Sequence, residues 1–181
     1  MIAVAIVRHG KDAGKFGSGD PCLTAEGKAE AMEAARELRR APWRALVCSP
    51  AARTFETAQL IGRELGLRPV ADPLFEELRP GPDVAGTRGE WQRGILDLPW
   101  DQVPAALRGW RDSLLSRIRG LREDTVIVTH FGTINAIVSP LAGSRTFFAF
   151  APRNCSITRL AVRPGHGVAI EELGASKAAI S

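Results

Sequence analysis

Two arginines and two histidines of this sequence could together bind a phosphoryl group. Each follows the end of a short apolar segment: Arg8 and His9 after the first, Arg53 one helical turn after the second, and His130 after a later one. Arginine suits a phosphate dianion because its planar guanidinium donates in pairs to phosphate oxygens and keeps its charge. Helix N-termini after the second and the later segment would add amide donors and positive dipole ends. The four side chains predict an anion pocket, provided that the apolar segments bring them together.

Those apolar segments have the character of strands buried on both faces. They are continuous and rich in β-branched residues, as strands of parallel sheets are, and they occupy residues 2–7, 45–48 and 125–129. Further strands are predicted at 68–71, 157–162 and 168–173, and helices at 24–40, 51–65, 107–121 and 132–141. Because strands and helices alternate, we predict an α/β fold, a three-layer α/β/α sandwich with a mainly parallel central sheet. Ligands of such sheets bind outside the carboxyl ends of the strands, where parallel neighbours would deliver all four side chains.

Length and composition describe an ordinary globular chain. Its 181 residues, 45% hydrophobic and 24% charged, predict a single domain over residues 1–181 and exclude disorder, collagen and coiled coil for the whole chain. The segment 80–104, dense in glycine and proline, is expected to be an irregular excursion. The net charge of +4 is scattered, without the basic stripe that nucleic-acid binding requires. No apolar stretch approaches the ~18 residues of a membrane span.

Cysteine and histidine usage argues against disulfides and metals. The cysteines are Cys22, Cys48 and Cys155, without a C-x-x-C pair, and the histidines stand at positions 9, 130 and 166, without an i, i+4 pair. We expect reduced thiols, no metal and no cofactor. The short apolar N-terminus, without a basic leader, predicts a cytoplasmic protein. The oligomeric state is open.

Four sequence blocks, in order, resemble the histidine phosphatase superfamily, which includes the cofactor-dependent phosphoglycerate mutases. They are Arg8-His9-Gly10, Leu23-Thr24-Ala25-Glu26-Gly27, Ser49-Pro50-Ala51-Ala52-Arg53-Thr54 with Thr57-Ala58, and Val128-Thr129-His130-Phe131-Gly132; Asn154 and Ser156 also resemble a late segment of that family. Each block is weak alone, but together they span residues 2 to about 140 in the expected order.

The resemblance implies a covalent mechanism without metal. His9 would attack phosphorus through a neutral imidazole, its other ring nitrogen donating to a backbone carbonyl. Arg8, Arg53 and His130 would neutralise the charge on the transferred group. Further candidates for contacts to the substrate are Gly10, Lys15 and Phe131.

The family also supplies a proton to the leaving group from a carboxylic acid after the third strand. The candidates are Glu76 and Glu77. The family's acid precedes a glycine by four residues, and Glu77 has this spacing to Gly81, so we favour Glu77.

Two departures from the family bear on the reaction. Lys11-Asp12 follows the first block, where the family carries Glu and Thr or Ser, and the loop up to Leu23 is short. A mutase must keep a bisphosphate covered while it reorients, which a short chain serves poorly. The resemblance therefore favours a phosphatase for a small phosphorylated metabolite or a phosphoprotein, phosphohistidine included. A phosphoglycerate mutase-type phosphotransferase and a catalytically weak phosphoryl-binding protein remain as alternatives.

Overall fold

A six-stranded sheet forms the centre of the part of the chain that the structure describes, a computed structural model covering residues 1–14, 20–79, 88–163 and 165–176. The strands are β1 (Ile2–Arg8), β2 (Ala45–Cys48), β3 (Pro69–Ala71), β4 (Thr125–Thr129), β5 (Ile157–Arg163) and β6 (Gly167–Glu172). The helices are α1 (Ala25–Leu38), α2 (Ala52–Leu65), α3 (Arg88–Leu96), α4 (Ala105–Arg119) and α5 (Phe131–Leu141), with a 3-10 turn at Pro73–Phe75.

The strand order is β3-β2-β4-β1-β5-β6. Strands β3, β2, β4 and β1 pair in parallel, whereas β5 is antiparallel to both of its neighbours. The prediction of an α/β fold with a mainly parallel sheet is confirmed. Strand β4 lies between β1 and β2, so the three strands whose ends carry the predicted site are immediate neighbours.

The apolar runs are continuous because helices cover both faces of the sheet. Alternate residues of β1 enter two different cores: Val4 and Ile6 pack with α4 and α5, while Ala5 and Val7 pack with α1 and α2. A strand buried on one face only would alternate with polar residues, and β1 does not.

Two helix termini follow from local chemistry. Thr24 caps α1, its hydroxyl oxygen accepting from the amide of Gly27, which satisfies a donor that the first turn leaves open. Helix α2 ends at Gly66, whose φ of 68° is left-handed and suits glycine.

The expectation of an irregular excursion at 80–104 is wrong for residues 88–96, which form α3. Trp91 and Ile95 are one helical turn apart and pack on the core of α4 and α5. Isolated helices this short are marginal in water. The packing of these two side chains therefore stabilises α3 against a local sequence that contains two glycines.

Among the described helices, none is both long and apolar enough to span a membrane. Across the same residues, no cluster of three or more His, Cys, Asp or Glu side chains could hold a metal ion.

Candidate active site

Three parallel strands end at the same level of the sheet. Arg8 of β1 is in register with Thr129 of β4, and Cys48 of β2 is in register with Val128. The next residue of each chain segment therefore emerges at one edge. These residues are His9, Ser49 and His130.

His9 is oriented as a nucleophilic imidazole must be. It is 5% exposed, and its Nδ1 lies 2.8 Å from the carbonyl oxygen of Gly10. A carbonyl can only accept, so Nδ1 carries the proton and Nε2 keeps its lone pair. Burial, together with the positive charges of Arg8 and Arg53, lowers the pKa of His9 to about 3, and the contact to Gly10 offsets only part of this decrease. The ring is therefore neutral near pH 7.

The loop behind His9 is held close to α1 and α2. The amide of Gly10 donates to Thr57 Oγ1 at 3.0 Å, and the Thr57 hydroxyl donates to the carbonyl of Arg53 at 2.7 Å. A Cβ at Gly10 would lie 2.4 Å from the carbonyl oxygen of Gly27, so glycine is required for this approach. The side-chain amide of Asn154 donates to the carbonyl of His9 at 2.9 Å. The backbone at His9 and Gly10 is thus fixed by contacts from other parts of the chain.

Arg53 joins the two histidines. Its Nε lies 3.4 Å from His9 Nε2, and its Nη2 lies 3.1 Å from His130 Nδ1. Since a guanidinium can only donate, His130 Nδ1 accepts and Nε2 carries the proton, which is donated to Ser49 Oγ at 2.8 Å. His130 is fully buried. The contact to Ser49 therefore sets which ring nitrogen faces Arg53.

Arg8 brings a second guanidinium, which has a buried donor without a partner among the described residues. Its Nη1 donates to the carbonyl of Pro152 at 2.8 Å, and its guanidinium carbon lies 5.4 Å from the centre of the Phe131 ring. Its buried Nε has no hydrogen-bond partner among the described residues. Burial lowers the pKa of Arg8, opposed by the charges of Glu77 and Asp12. A buried donor without a partner is costly, and an oxyanion would satisfy it.

The two predicted acids are held by β4 and α5. The hydroxyl of Thr129 donates to the carbonyl of Phe75 at 2.7 Å, and that of Thr133 donates to the carbonyl of Glu76 at 2.9 Å. These contacts fix the backbone immediately before Glu77. The side chain of Glu76 forms an ion pair with Arg79 at 2.9 Å.

Glu77 reaches the N-terminus of α5. Its Oε2 accepts from the amide of Gly132 at 3.2 Å, and its Oε1 accepts from the amide of Leu78 at 3.1 Å. A Cβ at Gly132 would lie 2.4 Å from Glu77 Oε1 and 2.3 Å from a methyl group of Leu78. The glycine of the His130-Phe131-Gly132 block therefore makes room for this acid.

Three of the predicted site residues, Arg53, Glu77 and His130, line one pocket. The other residues that line it are Asp20, Ala51, Glu76 and Arg79. Phe131 stacks on Phe148, with ring centres 6.2 Å apart, and the guanidinium of Arg8 lies over the Phe131 ring. Lys15 lies outside the described residues.

The sequence reasoning missed several residues of the site. Ser49 stood at the end of a predicted strand, and Thr57 and Asn154 lay in quoted blocks, so their positions carried a signal. Asp12 and Asp20 did not, because they belong to a loop without periodicity. Asp20 accepts from the amide of Ala52 at 2.9 Å through both oxygens, and lies 3.4 Å from Arg53 Nη1.

Comparison with known proteins identifies the family. The model of the histidine phosphatase superfamily (branch 1) matches residues 4–174. The probable phosphoglycerate mutase GpmB of Yersinia enterocolitica is 27% identical over 184 aligned positions, which cover 88% of this chain and 85% of that protein. Among solved structures, Bacillus stearothermophilus YhfR has a TM-score of 0.79 at 18% identity and covers 98% of each chain.

A second solved structure shares the fold at a similar level. The mycobacterial glucosyl-3-phosphoglycerate phosphatase, solved with VO3, has a TM-score of 0.74 at 20% identity and covers 97% of this chain and 100% of its own. At these identities the structural likeness shows the fold alone. The family model, which spans most of the sequence, confirms the resemblance: the chain belongs to the histidine phosphatase superfamily, whose members include phosphatases and mutases.

Proposed function

We propose that this protein is a metal-independent phosphatase that hydrolyses a phosphomonoester, or a phosphohistidine, through a phosphohistidine intermediate on His9. The observation that carries the proposal is the state of the His9 ring. Its Nδ1 proton is donated to Gly10 O, its pKa is lowered to about 3, and its Nε2 faces Arg53. A buried, neutral imidazole with an oriented lone pair beside a guanidinium is the arrangement that nucleophilic attack on phosphorus needs.

The surroundings supply the charge that phosphoryl transfer requires. Arg53, Arg8 and His130 would donate to the equatorial oxygens of the transferred group. Catalysis of phosphoryl transfer consists mainly of such positioning and electrostatic stabilisation. The unused Nε donor of Arg8 supports this role, because an oxyanion would give it the partner that the described protein does not.

Glu77 would handle the proton of the leaving group. Two amides hold its carboxyl group against the N-terminus of α5, on the wall of the same pocket. Glu76 lines that pocket as well, but its side chain pairs with Arg79, whose side chain is 65% exposed. The backbone amides of Leu78 and Gly132 fix the position of Glu77 in the pocket, which favours Glu77 as the residue that handles the proton.

A mutase-type phosphotransferase is the second candidate, and one observation favours it. The curated relatives of this chain include proteins named probable phosphoglycerate mutase, at 24–27% identity. Phosphatase and mutase would share the same phosphohistidine, and differ in whether water or a second hydroxyl of the substrate accepts the phosphoryl group. Interconversion of phosphoglycerates without release of phosphate would favour the mutase.

The test is release of phosphate from 4-nitrophenyl phosphate in the presence of EDTA, comparing the native protein with His9→Ala. We expect release that survives EDTA and falls at least about 10³-fold in the variant, since loss of a nucleophile leaves only binding and electrostatics. Release undiminished by the substitution would contradict the role of His9. Tight binding of vanadate without any release would indicate a phosphoryl-binding protein instead.

A further inference from the structure

Asp12 lies against both the nucleophile and its guanidinium partner. Its Oδ2 is 3.7 Å from His9 Nδ1 and 3.9 Å from Arg53 Nε. Its side chain is 21% exposed. This carboxylate stands where the superfamily pattern has Thr or Ser, so the roles of the family's residues do not account for it.

The carboxylate is held in place by its own loop. Asp12 Oδ1 accepts from the amide of Gly14 at 3.0 Å, and the backbone of Asp12 pairs with Leu23 in an antiparallel bridge. The amide of Ala13 donates to the carbonyl of Cys22 at 3.0 Å. The negative charge therefore has a fixed position relative to the His9 ring.

Before the reaction Asp12 interacts with the guanidinium of Arg53, and it acts on the His9 ring only once that ring becomes charged. A separation of 3.7 Å is an ion-pair distance and too long for a hydrogen bond, and the unreacted ring of His9 is neutral. During the proposed reaction the Nε2 lone pair forms a bond to phosphorus while the bond from phosphorus to the ester oxygen breaks, and that oxygen takes a proton from Glu77. The ring, still protonated on Nδ1, is then an imidazolium that carries one positive charge.

We infer that Asp12 is a positioning residue that stabilises the phosphoimidazolium of His9, through the charge that appears on the ring. The inference rests on the proposed function. In the second half of the reaction water attacks phosphorus, the N–P bond breaks, and its electron pair returns to Nε2. The proton of the water goes to Glu77, and the ring is neutral again.

This role has opposite effects on the two halves of the reaction. Positive charge grows as the phosphoenzyme forms and fades as it is hydrolysed. Asp12 therefore stabilises the phosphoenzyme more than either transition state, so it speeds formation and slows hydrolysis. A residue that only maintained the shape of the loop would, on removal, slow both steps.

The experiment measures both steps with 4-nitrophenyl phosphate at saturation. The initial burst of nitrophenolate gives the rate of phosphoenzyme formation. The rate of hydrolysis is obtained after substrate is exhausted, by quenching samples in alkali at successive times and measuring how much phosphoprotein remains. In Asp12→Asn, which keeps the acceptor for Gly14, we expect formation to fall about tenfold and hydrolysis to rise severalfold. Asp12→Glu, which keeps the charge, should restore formation in part.

Asp101→Asn is the matched control for the loss of one negative charge, because Asp101 is exposed and lies outside the pocket lining. It should leave both the rate of phosphoenzyme formation and the rate of phosphoenzyme hydrolysis as in the native protein. Melting temperatures of all variants show whether the fold is kept.

Three results would overturn the inference. A burst in the native protein with unchanged rates in Asp12→Asn overturns the role of Asp12 alone. A parallel decrease of both rates, whether or not the melting temperature falls, indicates a structural role and overturns it as well. A native protein that forms no alkali-stable phosphoenzyme overturns the proposed function, and the role of Asp12 with it.

Discussion

The pocket has two walls that hold charged side chains in different ways. The strand-end wall, made of Arg53 and His130 of the lining with the adjoining His9, is largely buried, and each of its side chains is fixed by contacts to the others or to the backbone. The loop wall, made of Asp20 and the Glu76–Arg79 pair, is more exposed: the Arg79 side chain is 65% exposed and that of Arg53 is 13% exposed.

Under the proposed function, this difference would separate two tasks of the pocket. Buried, mutually oriented groups cost no reorganisation when charge develops, so the strand-end wall suits the phosphoryl group, which is the same in every substrate. Exposed ion pairs contribute little to stability and can rearrange at low cost. The loop wall is therefore suited to the variable part of the substrate. The following predictions test the difference, from the largest expected effect to the smallest.

Glu77, which accepts hydrogen bonds from two backbone amides, and Glu76, which forms an ion pair with the exposed Arg79, give the sharpest comparison of the two ways of holding a charged side chain. The substrate is the alkyl phosphate that a substrate panel shows to be hydrolysed fastest. We expect Glu77→Gln to lower its turnover about 100-fold, since an alkoxide leaving group needs a proton. Glu76→Gln should lower it less than about threefold. Steady-state kinetics of the two isosteric variants measure this directly. The reverse order of effects would show that Glu76 is the acid.

The buried strand-end wall should make stability depend on pH. The unfolded chain binds a proton at His9 near pH 6.5, whereas the folded protein does so only near its lowered pKa of about 3. The contribution of His9 to the free energy of unfolding is therefore fully present above pH 6.5. It decreases as the pH falls towards 3, by up to about 1.4 kcal/mol per pH unit. Urea unfolding of the native protein and of His9→Gln at pH 7, 6 and 5 should show the steeper decrease in the native protein.

His166→Gln, at an exposed turn, is the control for the loss of one histidine. Parallel pH dependence of the native protein and His9→Gln would contradict the prediction, since His9 would then contribute nothing.

The loop wall should compete with anions. Asp20 occupies the amide of Ala52 at the start of α2 and contacts Arg53, so a phosphate that binds there must displace it. We expect Asp20→Asn to lower the inhibition constant for inorganic phosphate by a factor of about three to ten, because the amide keeps the shape without the negative charge. Asp101→Asn, an exposed aspartate outside the pocket lining, controls for net charge. An unchanged or higher constant in Asp20→Asn would be evidence against the competition.

Sequence alone predicts the strand-end wall well and the loop wall poorly. The runs around Val4 and Val126 had to be strands, because continuous β-branched residues fit a sheet covered on both faces. The residues after them then had to share an edge. No such periodicity governs Asp12 or Asp20. Their positions depend on loop hydrogen bonds to Gly14 and Ala52, which leave no pattern in the sequence.

Helix α3 is a second element that sequence alone does not predict. Local propensity disfavoured it because its nine residues include two glycines, and contacts with distant elements decided the outcome. Similarly, the choice of Glu77 over Glu76 followed from spacing, whereas the contact that distinguishes them, the amide of Gly132, comes from a helix 55 positions later.

The central place of β4 in the strand order has a consequence for how the protein is made. Val4 pairs with Thr125, so His9 at the end of β1 acquires its neighbour His130 only after some 120 further residues have been synthesised. Pairing over such sequence separations is slow, because loop closure precedes the contacts that reward it. A nascent chain that has not yet delivered β4 lacks the strand that lies between β1 and β2, so His9 and Arg53 are without His130. The candidate site is therefore assembled late and in one step, when β4 joins β1 to β2.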